Sequence, residues 1–65
     1  MVAQWRIDVL GQMSIHKITR IELAEAVNMN PKYIGMILNG KRDPRNGEAI
    51  VRFALEKAIE KKGDG

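Results

Sequence analysis

Between positions 26 and 31 the chain ends one helix and begins another, and this pair of signals restricts what the sequence can build. Thr19 followed three residues later by Glu22 has the form of a capping box, which starts a helix at Arg20. Leu23, Ala24 and Val27 form its inward face, and Asn28 suits the left-handed backbone conformation that ends a helix in a tight turn. Asn30 is a good N-cap. Pro31 suits a first helical position, because its missing N–H would have had no partner there. The next helix therefore begins at Pro31 after the turn Asn28-Met29-Asn30. Its apolar face is Ile34, Ile37 and Leu38, and Gly40 after Asn39 is its stop.

Elsewhere apolar residues recur at steps of three and four, and no stretch of four or more alternates with period two in a β-branched context. The spacing predicts an all-α chain of four or five helices. A first helix is expected from about Val2 to Met13, with Val2, Trp5, Val9 and Met13 as its stripe and Leu10 beside it. Gly11 weakens its last turn by about 1 kcal/mol relative to alanine. Trp5 is expected as a core anchor against Ile34, Leu38 and the last helix. Pro44 keeps Lys41-Arg42-Asp43-Pro44-Arg45 as a basic loop. The final helix starts near Gly47, with Glu48 in its first turn and Lys61 and Lys62 in its last. Residues 1–62 read as one domain, and residues 63–65 as a disordered tail.

Sixty-five residues suffice for one small domain whose core is thin. With no Cys and one His the chain lacks the familiar zinc sites, disulfides and thiol nucleophiles. Ser14 and Asp8 near His16 do not make a triad, and no carboxylate cluster supports metal-assisted chemistry. Neither an enzyme nor a cofactor, metal or small-molecule ligand is expected. The longest apolar run, Met36-Ile37-Leu38, is far below a membrane span, and residues 1–6 lack the apolar core of a signal peptide. A cytoplasmic location is expected.

The net charge of +3 is concentrated. Positions 17–45 hold six bases (Lys17, Arg20, Lys32, Lys41, Arg42, Arg45) against three acids (Glu22, Glu25, Asp43), while Arg6 and Asp8 cancel before them and four bases meet four acids after them. This points to a localised anionic partner, although a solvated basic surface explains the charge alone equally well.

Two short helices joined by a three-residue turn, with the small Ala24 where the second crosses the first, form a helix-turn-helix unit over about residues 20–39. The second helix is narrow enough for a major groove, and its solvent face presents Lys32, Tyr33 and Met36. Arg20, Asn30, Asn39, Lys41, Arg42 and Arg45 flank it where phosphates would lie. Gly35 in mid-helix implies a close approach, either by DNA or by the preceding helix.

The run from Arg20 to Arg42 resembles the Cro and lambda-repressor family, most specifically in Glu22-Leu23-Ala24, Asn30-Pro31-Lys32-Tyr33-Ile34 and Asn39-Gly40-Lys41. The resemblance implies a lambda-repressor-like helix-turn-helix fold and a sequence-specific regulator, commonly a phage or bacterial repressor, that binds a pseudo-palindromic double-stranded operator as a homodimer. It implies base contacts from Lys32 and Met36, with Tyr33 at the groove edge, and backbone contacts from Arg20, Asn39 and Lys41. Many members carry two glutamines that brace each other and reach an adenine. Here Arg20 and Pro31 stand at those positions, and Asn28 replaces the usual turn glycine.

Apolar residues of the last helix, among them Phe53, Leu55 and Ile59, wrap beyond one face at about 100° per residue, which predicts a homodimer interface through Phe53 or through the edge at Leu55 and Ile59. The competing reading is a protein-interaction module on the same scaffold, such as an antagonist of another regulator.

Overall fold

The computed structural model describes residues 3–63. They form α1 (Gln4–His16), α2 (Arg20–Ala26), α3 (Pro31–Leu38) and α4 (Gly47–Gly63), with no strand among the described residues. The fold is all-helical with four helices, and the fifth allowed by the sequence does not form among them. The expected start at Val2 and the tail positions Asp64 and Gly65 lie outside the described residues, whereas Gly63 belongs to α4 and not to a tail.

Local chemistry sets most of the helix ends. Thr19 and Glu22 form the expected capping box, with the Thr19 N–H donating to Glu22 Oε1 at 2.9 Å and the Glu22 N–H donating to Thr19 Oγ1 at 3.2 Å. α2 closes on Asn28 at φ 57, where the Asn28 N–H donates to the Glu25 carbonyl and the Met29 N–H to the Ala24 carbonyl, the two bonds of a Schellman motif. Asn30 caps α3 by accepting from the Lys32 N–H at 2.8 Å. Gly40 at φ 85 ends that helix, in a conformation that suits glycine.

α1 departs from expectation. It runs three residues past Met13, through Gly11, and ends on Lys17 at φ 56. A Cβ at Gly11 would touch nothing within 4 Å, so the glycine faces open space and costs only propensity. What seals the end is Ile18, which is buried and whose N–H donates to the Met13 carbonyl at 2.8 Å. Val9 and Met13 are buried as expected, but Trp5 is only half-buried at the rim of the core and Leu10 is exposed. The third buried residue of α1 is Arg6.

α4 packs against all three other helices, and α2 packs on α3. Leu23, Ile34, Ile37, Val9 and Val51 are the largest fully buried side chains. Because three helices cover it, α4 buries a wide apolar arc within a single chain: Val51, Ala54, Leu55 and Ala58 are buried, and Ile50 and Ile59 are half-buried against them. This corrects the reading of Leu55 as a dimer contact, since the core already occupies it. Of the three expected interface residues Phe53 alone stands out from the surface, 54% exposed.

Candidate nucleic-acid interface

α3 turns Ile34, Ile37 and Leu38 into the core, which leaves Lys32 exposed and Met36 half-buried on its outer side. Tyr33 is half-buried and packed against the core, so its ring is largely committed to the fold. Asn30 and Asn39 bracket the helix, and each spends its side-chain carbonyl on the backbone: Asn30 on the Lys32 N–H, Asn39 on the Lys41 N–H at 3.0 Å. Their amide NH2 groups remain as donors, the polarity that a phosphate oxygen requires. At the exit of α3, Lys41, Arg42 and Arg45 are exposed, and no ion pair among the described residues engages them.

This loop depends on Arg6, whose charge is spent here and not on Asp8. Arg6 is 5% exposed, with its Nε donating to the Ile37 carbonyl at 2.6 Å and its Nη2 to the Arg42 carbonyl at 3.3 Å and to Asp43 Oδ1 at 3.0 Å. Its guanidinium also lies 4.7 Å from the centroid of the Trp5 ring. A buried guanidinium with carbonyl and carboxylate acceptors is satisfied, and it fixes the backbone that carries Arg42. It also pairs Asp43, the loop's one acid, so the neighbouring cations are not cancelled from within the loop. A sequence signal existed, because Arg6, Val9 and Met13 share one helical face and a cation on an apolar stripe needs acceptors.

Arg20, the first residue of α2, lies across α3. A Cβ added to Gly35 would come within 3.2 Å of Arg20 Nη1, so the close approach expected at this glycine is made by a side chain of the preceding helix. Away from α3, a cavity of about 190 Å³ between α2 and α4 is lined by Glu22, Glu25, Ala58, Lys61 and Lys62. Lys62 there lies 3.5 Å from Glu22 Oε2 and also donates to the Lys17 carbonyl. The N–H of Thr19 holds the Glu22 carboxyl below its ordinary range, Lys62 adds to this, and partial desolvation opposes it.

A family model for helix-turn-helix proteins matches residues 16–50, just over half of the chain. The chain belongs to the Cro/C1-type helix-turn-helix family. The matched segment covers α2, the turn, α3, the basic loop and the first turn of α4, so the family signature and the exposed cations coincide. Members of this family bind DNA and regulate transcription, and that general function extends to this chain. No curated protein and no solved structure gave a significant match. No described helix is long and apolar enough to cross a membrane.

Proposed function

We propose that residues 1–62 act as one sequence-specific double-stranded DNA-binding domain of a cytoplasmic transcriptional repressor, with α3 in the major groove. Lys32 and Met36 face base edges, Lys32 as a donor to guanine and Met36 against a thymine methyl, and Tyr33 sits at the groove edge. Asn30, Asn39, Lys41, Arg42 and Arg45 meet phosphates, and Arg20 completes the positive rim. The observation that carries this reading is the exposed trio Lys41, Arg42 and Arg45 at the exit of α3, with the neighbouring acid Asp43 paired to Arg6. Two copies reading successive major grooves, about 34 Å apart, call for a pseudo-palindromic operator. Phe53 is the exposed large apolar side chain of α4 on which a second copy would rest.

Selection from a random double-stranded DNA pool, followed by titration of the winner at two salt concentrations, tests the reading. The expected result is an inverted repeat with half-sites about ten base pairs apart and an affinity that falls steeply with salt. Lys41→Ala should weaken all sequences alike and lower the salt slope by about one. A pool that never converges, with a flat salt response, overturns the reading and favours a protein partner.

A further inference from the structure

Arg20 shares a helical face with Leu23, Ala24 and Val27, at i, i+3, i+4 and i+7. Leu23 and Ala24 are buried and α2 packs on α3, so the stem of Arg20 continues an inward stripe until it lies over the next helix. It meets α3 at Gly35, where an added Cβ would stand 3.2 Å from Nη1, 3.4 Å from Cδ and 3.9 Å from Cζ. Lys32 and Gly35 on α3 and Asn39 at its C-cap fall at i, i+3 and i+7 along one line, and both Lys32 and Asn39 are exposed. The guanidinium of Arg20 therefore occupies, between two exposed polar residues, the place where position 35 has no side chain of its own.

Its donors are uncommitted. Among the described residues no hydrogen bond or ion pair engages the Arg20 guanidinium, whereas the guanidinium of Arg6 has three acceptors. A planar fork seated against a helix, with its donors unspent, matches the two acceptors, O6 and N7, that guanine shows in the major groove. We propose that Arg20 is a specificity-determining residue that reads a guanine, with Gly35 as its seat. The proposal rests on α3 being the groove-entering helix, and it moves Arg20 from the phosphate-neutralising set to the base-reading set.

Sites selected by the wild-type chain and by Arg20→Lys and Gly35→Ala decide the matter, with thermal unfolding of each variant alongside. Arg20 is exposed, so Arg20→Lys keeps the fold and the charge but loses the fork. The expected result is loss of one guanine preference per half-site, roughly tenfold or more at that position, with the other positions and the salt slope unchanged. Gly35→Ala removes a mid-helix glycine but pushes the Arg20 tip by a few tenths of an ångström. It should raise the unfolding temperature while weakening the same single preference, a combination that a purely structural glycine does not produce. A wild-type chain that selects well while Arg20→Lys keeps every preference makes Arg20 a phosphate contact and overturns the proposal. A wild-type chain that selects nothing overturns instead the placement of α3, and the proposal falls with it.

Discussion

From Thr19 to Gly40 the helix ends are closed mainly by residues within a few positions of themselves, whereas the loop that follows Gly40 adds to its local bonds a side chain from α1. The α2–turn–α3 segment carries its own box, Schellman turn, N-cap and stop: Thr19 with Glu22, Asn28, Asn30 and Gly40. The loop has Pro44 to keep it out of helix and local bonds from the Lys41 N–H to Asn39 Oδ1 and from the Arg42 N–H to the Met36 carbonyl, but what ties it to α1 is Arg6, which reaches the carbonyls of Ile37 and Arg42 across more than thirty positions of sequence. Within this one small segment α3 is encoded locally, and the cationic loop beside it depends in addition on a residue far away in sequence. The two parts therefore fail in different ways when mutated.

The largest expected effect is on the distant contact. Arg6→Met keeps an apolar stem and removes the donors to two carbonyls and to Asp43. Hydrogen bonds from a buried charged group suggest a loss of about 2–3 kcal/mol, a large share of what a domain this small has. Asp43→Asn removes only the exposed partner, whose side chain is 77% accessible, and should cost about 1 kcal/mol or less. Urea unfolding of both variants separates the contributions. Equal losses would mean that the ion pair and not the carbonyl bonds holds the loop, and the contrast with α3 would then be electrostatic.

A smaller loss is expected at the local end. Asn30→Ala deprives the Lys32 N–H of its cap and should cost about 1 kcal/mol. Asn30 and Ile37 are seven residues apart, about 10 Å along α3 at 1.5 Å per residue. The losses in Asn30→Ala and Arg6→Met should therefore add to within about 0.5 kcal/mol in the double variant. A larger coupling energy would show that α3 transmits the state of its exit to its start, and the division between local and distant control would be lost.

The same division decides what was legible in the sequence. Asn28, Asn30, Pro31 and the Thr19 box were readable because each is a residue type acting within a few positions of itself. The end of α1 was not, because Lys17 carries no stop signal and the seal comes from burying Ile18. The partners of Arg6 are not legible in the sequence, where Asp8 is its nearest opposite charge, while Asp8 in fact accepts from Gln4 at 3.2 Å and lies 4.0 Å from Arg52. Leu55 reads as an interface residue from the sequence because periodicity gives the width of an apolar arc but not how many helices cover it. At Gly35 the sequence flagged a close approach and left two candidates, DNA or the preceding helix. Only the packing supplied Arg20.

The smallest effect concerns Glu22, where the comparison is least clean, because its local box also has a partner from the far end of the chain, Lys62 at 3.5 Å. The Glu22 carboxyl titrates below its ordinary range, chiefly because the Thr19 N–H donates to it, with Lys62 contributing and desolvation opposing. A group whose folded pKa is depressed adds stability that is fully present above its unfolded pKa and is lost as pH falls through the folded value. Glu22→Gln keeps an acceptor for Thr19 but no charge, so it should unfold at a slightly lower temperature than the wild type near neutral pH, and the gap should close in acid. A gap that persists below the carboxylate range would assign the difference to geometry and not to charge. Salt sharpens the test, because the Lys62 contribution is an exposed charge–charge attraction that salt screens, while the bond from Thr19, also exposed, comes from a neutral N–H in direct contact and depends less on salt. If most of the neutral-pH gap survives high salt, the start of α2 is local in its energetics as well as its geometry; if salt abolishes it, Lys62 holds that helix from a distance as Arg6 holds the loop.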